Sequence, residues 1–271
     1  MVMDLRQKTG AKMMDAKRAL VEADGDEQKA ISLLRERGLA DASKRAHRAT
    51  AEGAIAAAQA ADHGGAALAE LNCETDFVAK TDQFQVLAAD VAGWTLSQSA
   101  ETVAPDDLPA DKAEEIRQAI AKTGENIQFR RGITFAGGVV EYYIHLGGKI
   151  GTLVQVHGAN TAEVRALAKD LAMQVAAASP EYLTREDVPA SVIEREMEIY
   201  RTQARNEGKK EEFLDRIAEG RLEKFFKDNV LIEQPFIKDP DKAVKTLVAD
   251  TAKAAGAELT VKRFVRYQLG Q

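Results

Sequence analysis

The sequence has little of what catalysis and metal binding commonly draw on. One cysteine, Cys73, stands among 271 residues, which excludes an internal disulfide and any multi-cysteine zinc site. Four histidines, His47, His63, His145 and His157, are scattered without metal-ligand spacing. No apolar run reaches the roughly 18 residues of a membrane helix, and the N-terminus has no charged-then-apolar leader. A soluble, cytoplasmic protein is expected, with no membrane association. An excess of positive charge is missing too. Lys and Arg total 37 against 43 Asp and Glu, a net charge of -6, so no direct nucleic-acid binding through phosphate neutralisation is expected.

What is present suits a folded chain: 45% hydrophobic and 30% charged residues, in a length that suggests about two domains. The charge is uneven. Residues 1–50 carry 11 Lys/Arg and 8 Asp/Glu, whereas the remainder carries 26 and 35. A mildly basic head thus precedes an acidic body. In the head, three short helices are predicted: one before Thr9-Gly10, one from about Met13 to Ala23, and one carrying Ala30, Ile31 and Leu34 that ends at Gly38. Met13 and Met14 cannot both face one core stripe, so at least one reaches the surface, as gap-filling core or as an adaptable contact. Residues 40–52, with Lys44, Arg45, His47 and Arg48, read as a basic helical extension or linker.

The body reads as a diverged internal repeat. Gly53–Ala56, a His63-Gly64-Gly65 turn and Ala67–Leu71 are matched by Gly138–Tyr143, Gly147-Gly148 and Leu153–Val156. A helix follows each hairpin, through Phe84, Leu87, Ala88 and Val91 and through Val164, Leu167, Ala168, Leu171 and Val175. Residues 124–135 align without gaps to 256–267, with apolar pairs Ile127/Leu259, Phe129/Val261, Ile133/Val265 and Phe135/Tyr267. Period two predicts strands with one buried face, each half being a small antiparallel sheet backed by helices, an α+β fold. Between Glu181 and Asp228, 23 of 48 residues are charged. A narrow apolar stripe there (Ile193, Met197, Tyr200, Ala204, then Leu214, Ala218, Leu222, Phe225) predicts a projecting antiparallel helical hairpin.

No enzyme signature survives inspection. Gly147-Gly148-Lys149-Ile150-Gly151 lacks the Ser/Thr and the first Gly of a phosphate loop and reads as a hairpin turn. Cys73 with His145 could be imagined as nucleophile and base, but Cys73 ends an apolar strand, where a free thiol usually serves as a small buried hydrophobe. Arg130-Arg131 could touch phosphate; solvated charges on an alternating strand are the simpler reading. No catalytic residue, cofactor or metal is expected. Thr75-Asp76-Phe77-Val78 stands out, because it links a strand to a helix and so belongs to a surface loop. Thr75 or Asp76 suits a helix cap, and Phe77 is either tucked back as a staple or offered to a partner's pocket.

Leu5-Arg6 with Thr9–Leu20 resembles the N-terminal signature of the bacterial elongation factor Ts family, and Asn72–Ala79 resembles that family's second signature. Gly124–Ile127, Glu219-Gly220-Arg221 and Gln234-Pro235-Phe236 fit it as well, in order along nearly the whole chain. Lys12 and Ala16 depart from the family's usual Gly and frequent Cys. The resemblance implies a guanine nucleotide exchange factor, not an enzyme, whose partner is elongation factor Tu in a one-to-one or two-to-two complex. It implies a ubiquitin-associated-like three-helix domain (1–45), a linker (46–52), core subdomain N (53–136), core subdomain C in two parts (137–180 and 229–271) and a helical hairpin, or coiled-coil arm (181–228). By the same resemblance Phe77 is a wedge near the partner's Mg²⁺ and phosphate site, Asp76 a polar contact, and Thr75 and Val78 its support. Arg6, Met13 and Met14 would dock the head, and Ile127 and His145 would contribute core contacts. The competing readings are a non-catalytic binding adaptor and an enzyme built on Cys73.

Overall fold

The computed structural model describes residues 1–45 and 47–271, without the side chains of residues 39–44; Ala46 and the Lys44 side chain of the basic stretch fall outside the described residues. Three helices open the chain: α1 (Val2–Thr9), α2 (Met13–Glu22) and α3 (Glu27–Arg45). A first sheet follows, built from β1 (Glu52–Gln59), β2 (Gly65–Cys73), β3 (Thr102–Val103) and β4 (Ile127–Ala136) in the order β1-β2-β4-β3, all pairs antiparallel. Helices α4 (Asp76–Ala79), α5 (Asp82–Leu96) and α6 (Ala110–Thr123) lie between its strands in sequence. The second sheet has the order β5-β6-β9, from β5 (Val139–His145), β6 (Ile150–His157) and β9 (Thr260–Gln268), again antiparallel. Within that stretch fall α7 (Ala162–Ala178), α8 (Ala190–Asn206), α9 (Leu214–Asn229), a small hairpin of β7 (Pro235–Phe236) and β8 (Asp239–Ala243), and α10 (Val244–Ala255). The fold is α+β.

The head closes over Leu5, Ala16, Ala19, Leu20, Ala23 and Ala30, all buried. Gly10, at φ 69°, ends α1 and donates its N–H to the Arg6 carbonyl, the left-handed stop that glycine takes most cheaply. Gly38 does not stop α3, contrary to the expectation from sequence. The helix continues to Arg45, and a Cβ at Gly38 would fall 2.9 Å from that of Ala121 on α6. The residue is small there because two helices cross closely. Arg35 of α3 pairs with Glu114 of α6 at 3.1 Å across the same crossing.

The sheets are stacked, and this also corrects the sequence reading. Helices α5 and α6 cover one face of the first sheet over Ala69, Leu71, Phe84, Val91 and Ile120. Helices α7 and α10 cover one face of the second over Val154, Leu167, Leu171 and Val244. The two remaining faces pack on each other, bringing Ile55, Leu68, Ile133 and Phe135 against Val140, Leu153 and Tyr267. Strands predicted to have one buried face therefore have two; β2 is buried at every position. The layers run helix, sheet, sheet, helix.

One bulge per sheet explains how β4 and β9 serve both faces. Glu70 opposes Arg131 and Leu71 opposes Phe129, which leaves Arg130 without an opposite residue. Likewise Gln155 opposes Arg263 and Val156 opposes Val261, which skips Lys262. An extra residue flips the side-chain phase of everything beyond it. Ile127 and Phe129 accordingly face the helices while Ile133 and Phe135 face the other sheet. Leu259 and Val261 divide from Val265 and Tyr267 in the same way.

The halves meet about a local pseudo-twofold axis. Val140 N–H donates to the His63 carbonyl at 2.9 Å, and Ile55 N–H to that of Gly148 at 2.8 Å. Gly137 N–H donates to Gly64 at 2.8 Å, and Leu269 N–H to Lys149 at 2.9 Å. In each pair the second bond joins the repeat equivalents of the residues in the first. Arg131, read from sequence as a solvated charge, lies in this contact: it binds buried Glu70 at 2.8 Å and stacks over the Tyr267 ring.

Candidate functional site

The site grows from the end of β2. Cys73 pairs with Glu52 at the start of β1, and two residues later the chain turns into α4, a single helical turn. Thr75 is its N-cap: the hydroxyl accepts from Val78 N–H at 3.4 Å, which satisfies one of the free donors of a helix start. The turn then divides its side chains. Ala79 is buried and Val78 packs half-buried against the first core. Phe77 points away, 81% exposed, more than any other large hydrophobic side chain among the described residues. Of the two placements the sequence left open, the structure has the ring outward, with no staple contact.

An ion pair lies on the same turn. Lys80 donates to Asp76 Oδ2 at 2.6 Å, one helical turn away. That hydrogen bond holds the Asp76 carboxyl below its ordinary range and raises the Lys80 ammonium. Beneath the turn, Cys73 Sγ donates to the Thr75 carbonyl at 3.1 Å. Burial, then the negative charge of Glu125, pushes its thiol up to about 12. A thiol so protonated at neutral pH is a poor nucleophile, which argues against Cys73 as a catalytic group.

The other candidate residues are spread over the molecule. Arg6 is exposed on α1, and Met13 and Met14, 41% and 62% exposed, open α2; all three belong to the head. Ile127 is buried in the first core among Leu71, Phe84 and Val91, so its side chain supports the site from within. His145 ends β5, half-buried, with Nδ1 3.1 Å from the Tyr143 hydroxyl. Its hairpin turn is tied to the start of β1 by the Ile55–Gly148 bond and by the Lys149–Glu52 ion pair. Glu52 is the register partner of Cys73, so the His145 turn and α4 share one end of the paired sheets.

Two residues at this end were not singled out from sequence. Leu146 is 68% exposed at φ 50°; a leucine in a left-handed turn beside two glycines was the available signal. Glu125 accepts both hydrogen bonds that Thr75 can donate. Its only signal was membership of a short motif 50 residues away. Among the described residues no group of three or more His, Cys, Asp or Glu side chains is placed to hold a metal ion, and no helix is long and apolar enough to cross a membrane.

Residues 74–271 match the family model described as Elongation factor TS. Full-length similarity agrees. An elongation factor Ts of Clostridium botulinum (strain Eklund 17B) is 44% identical over 278 residues, covering 100% of this chain and 92% of that protein. Those of Clostridioides difficile (45% over 278 residues, 100% and 92%) and Chlorobium phaeobacteroides (44% over 281 residues, 99% and 97%) are similar to the same degree. The chain belongs to the elongation factor Ts family. The family match begins at Glu74, one residue before the Thr75 cap, and takes in α4, both sheets' remaining strands and the α8–α9 pair. The alignments to whole elongation factor Ts proteins extend that relationship over the head as well.

Proposed function

We propose that this chain is a guanine nucleotide exchange factor acting in the cytoplasm on elongation factor Tu. Phe77 on its capped turn carries the proposal: an 81% exposed aromatic ring with no internal partner is a ready anchor for a pocket on another protein. In this reading Phe77 wedges into the partner's GTPase domain beside its Mg²⁺ and phosphate site. Asp76 supplies a polar contact, while Thr75 and Val78 hold the turn. Exposed Arg6, Met13 and Met14 dock the head (residues 1–45, a ubiquitin-associated-like domain). His145 contributes from the turn of core subdomain C, and Ile127 supports from beneath.

The mechanism is linkage. A factor expels GDP only if it binds the nucleotide-free partner better than the GDP-bound one. The coupling is reciprocal, so GDP weakens the factor's grip by the same amount. A wedge supplies the difference if the gap that it fills is closed when nucleotide and Mg²⁺ order the site. No residue of this chain then performs covalent chemistry. The test is release of labelled GDP from elongation factor Tu with the chain at substoichiometric amounts. The proposal expects many GDP molecules released per molecule of factor. Stoichiometric binding with no faster release would instead support the adaptor reading.

A further inference from the structure

The turn that carries Phe77 is four residues long, and one helical turn does not hold its own shape in water. No packing restrains the exposed ring, so its direction is that of the α4 backbone. The C-terminal end of α4 is fixed by buried Ala79 and by the Lys80 N–H bond to the Asp76 carbonyl at 3.1 Å. The N-terminal end rests on Thr75.

Thr75 is held from the loop between α6 and β4. Its N–H donates to Glu125 Oε2 at 3.0 Å, and its hydroxyl donates to Glu125 Oε1 at 2.6 Å. An ionised carboxylate only accepts, so the hydroxyl's single proton is committed to it and the oxygen lone pairs are left for Val78 N–H. One side chain thereby fixes both the Thr75 backbone and the rotor that caps α4. The arrangement is reciprocal: Glu74 Oε1 accepts from Asn126 N–H at 2.6 Å. The two loops exchange carboxylate-to-amide bonds in both directions.

We propose that Glu125 is a positioning residue for nucleotide exchange, acting through Thr75 to hold Phe77 outward before the partner arrives. This rests on the reading of Phe77 as the wedge. If the turn held the productive conformation about a tenth of the time, the effective affinity of the wedge would fall about tenfold.

The test is GDP release with the factor limiting, alongside a thermal melt of each variant. Glu125→Ala and Thr75→Val should each slow stimulated release about tenfold, and the double variant by less than the product of the two, because the bond from the Thr75 hydroxyl to Glu125 is lost in both. Thr75→Ser should recover most of what Thr75→Val loses, since the hydroxyl is restored. Melting midpoints should stay within a few degrees of the parent. Parent-like rates in Glu125→Ala would overturn the proposal, as would additive losses in the double variant or no recovery in Thr75→Ser. If Glu125→Ala failed to fold, Glu125→Leu, which has no acceptor for either Thr75 donor, would be read by the same criteria. Phe77→Ala discriminates the two levels: no loss there refutes the wedge, whereas loss there with a silent Glu125 refutes only the positioning role.

Discussion

The guanidinium of Arg131, on β4, lies over the ring of Tyr267, on β9, at 4.0 Å from its centroid. The repeat equivalents answer in reverse, Arg263 of β9 lying over Phe135 of β4 at 4.1 Å. Each arginine also binds the residue opposite it in its own sheet, Glu70 for Arg131 and Gln155 for Arg263. The contact is symmetric in shape and unequal in charge.

That inequality gives the first prediction. Glu70 is fully buried, and without Arg131 it would keep Arg130, at 3.9 Å, and the donors Asn72 and Gly270; taking the nearer cation from a buried charge costs up to about 3–5 kcal/mol. Gln155 is neutral and Glu101, which also pairs with Arg263, is exposed, so Arg263→Ala should lose a stack, a hydrogen bond and a solvent-screened ion pair, about 1–2 kcal/mol. Denaturant melts should therefore show Arg131→Ala clearly less stable than Arg263→Ala. Equal losses would mean that Glu70 finds other compensation.

The second concerns Cys73. Its thiol, pushed up to about 12 by burial and the charge of Glu125, should resist alkylation at pH 8 in the native protein and react at once on unfolding. The measurement is the rate of thiol modification with and without denaturant. Rapid native labelling would show that the turn above Cys73 opens readily.

The third prediction concerns the titration of Asp76. Its folded value is depressed by Lys80, so the pairing stabilises the turn above the unfolded carboxylate value and is lost as pH falls through the folded one. NMR titration should place the Asp76 midpoint below its ordinary 3.8, and Lys80→Ala should move it upward. The turn should be unaffected by pH across the neutral range.

Much of the fold was legible because the chain says it twice. The alignment of 124–135 with 256–267 marked two equivalent strands, and they hold equivalent places beside β2 and β6. The bulges were not legible. Arg130 and Lys262 sit where an alternating strand would put any outward residue, and only pairing reveals the phase change. The stacked sheets followed from that omission, since a strand that switches faces halfway looks from sequence like one with a single apolar side. Gly38 misled for a different reason, because a glycine that permits a helix crossing has the same letter as one that ends a helix. At the site, Phe77 was conspicuous beside Asp76 in a polar stretch, but its outward direction depends on a cap and on a carboxylate brought from the α6–β4 loop. Spacing within a motif carries no information about such a long-range partner.

The most direct measurement is GDP release from elongation factor Tu stimulated by Phe77→Ala. The ring is exposed and bears no internal packing, so the variant should melt with the parent. Truncating an aromatic anchor at the centre of a contact costs about 2 kcal/mol or more, and stimulated release should fall at least about thirtyfold. A parent-like rate from a folded Phe77→Ala would contradict the account.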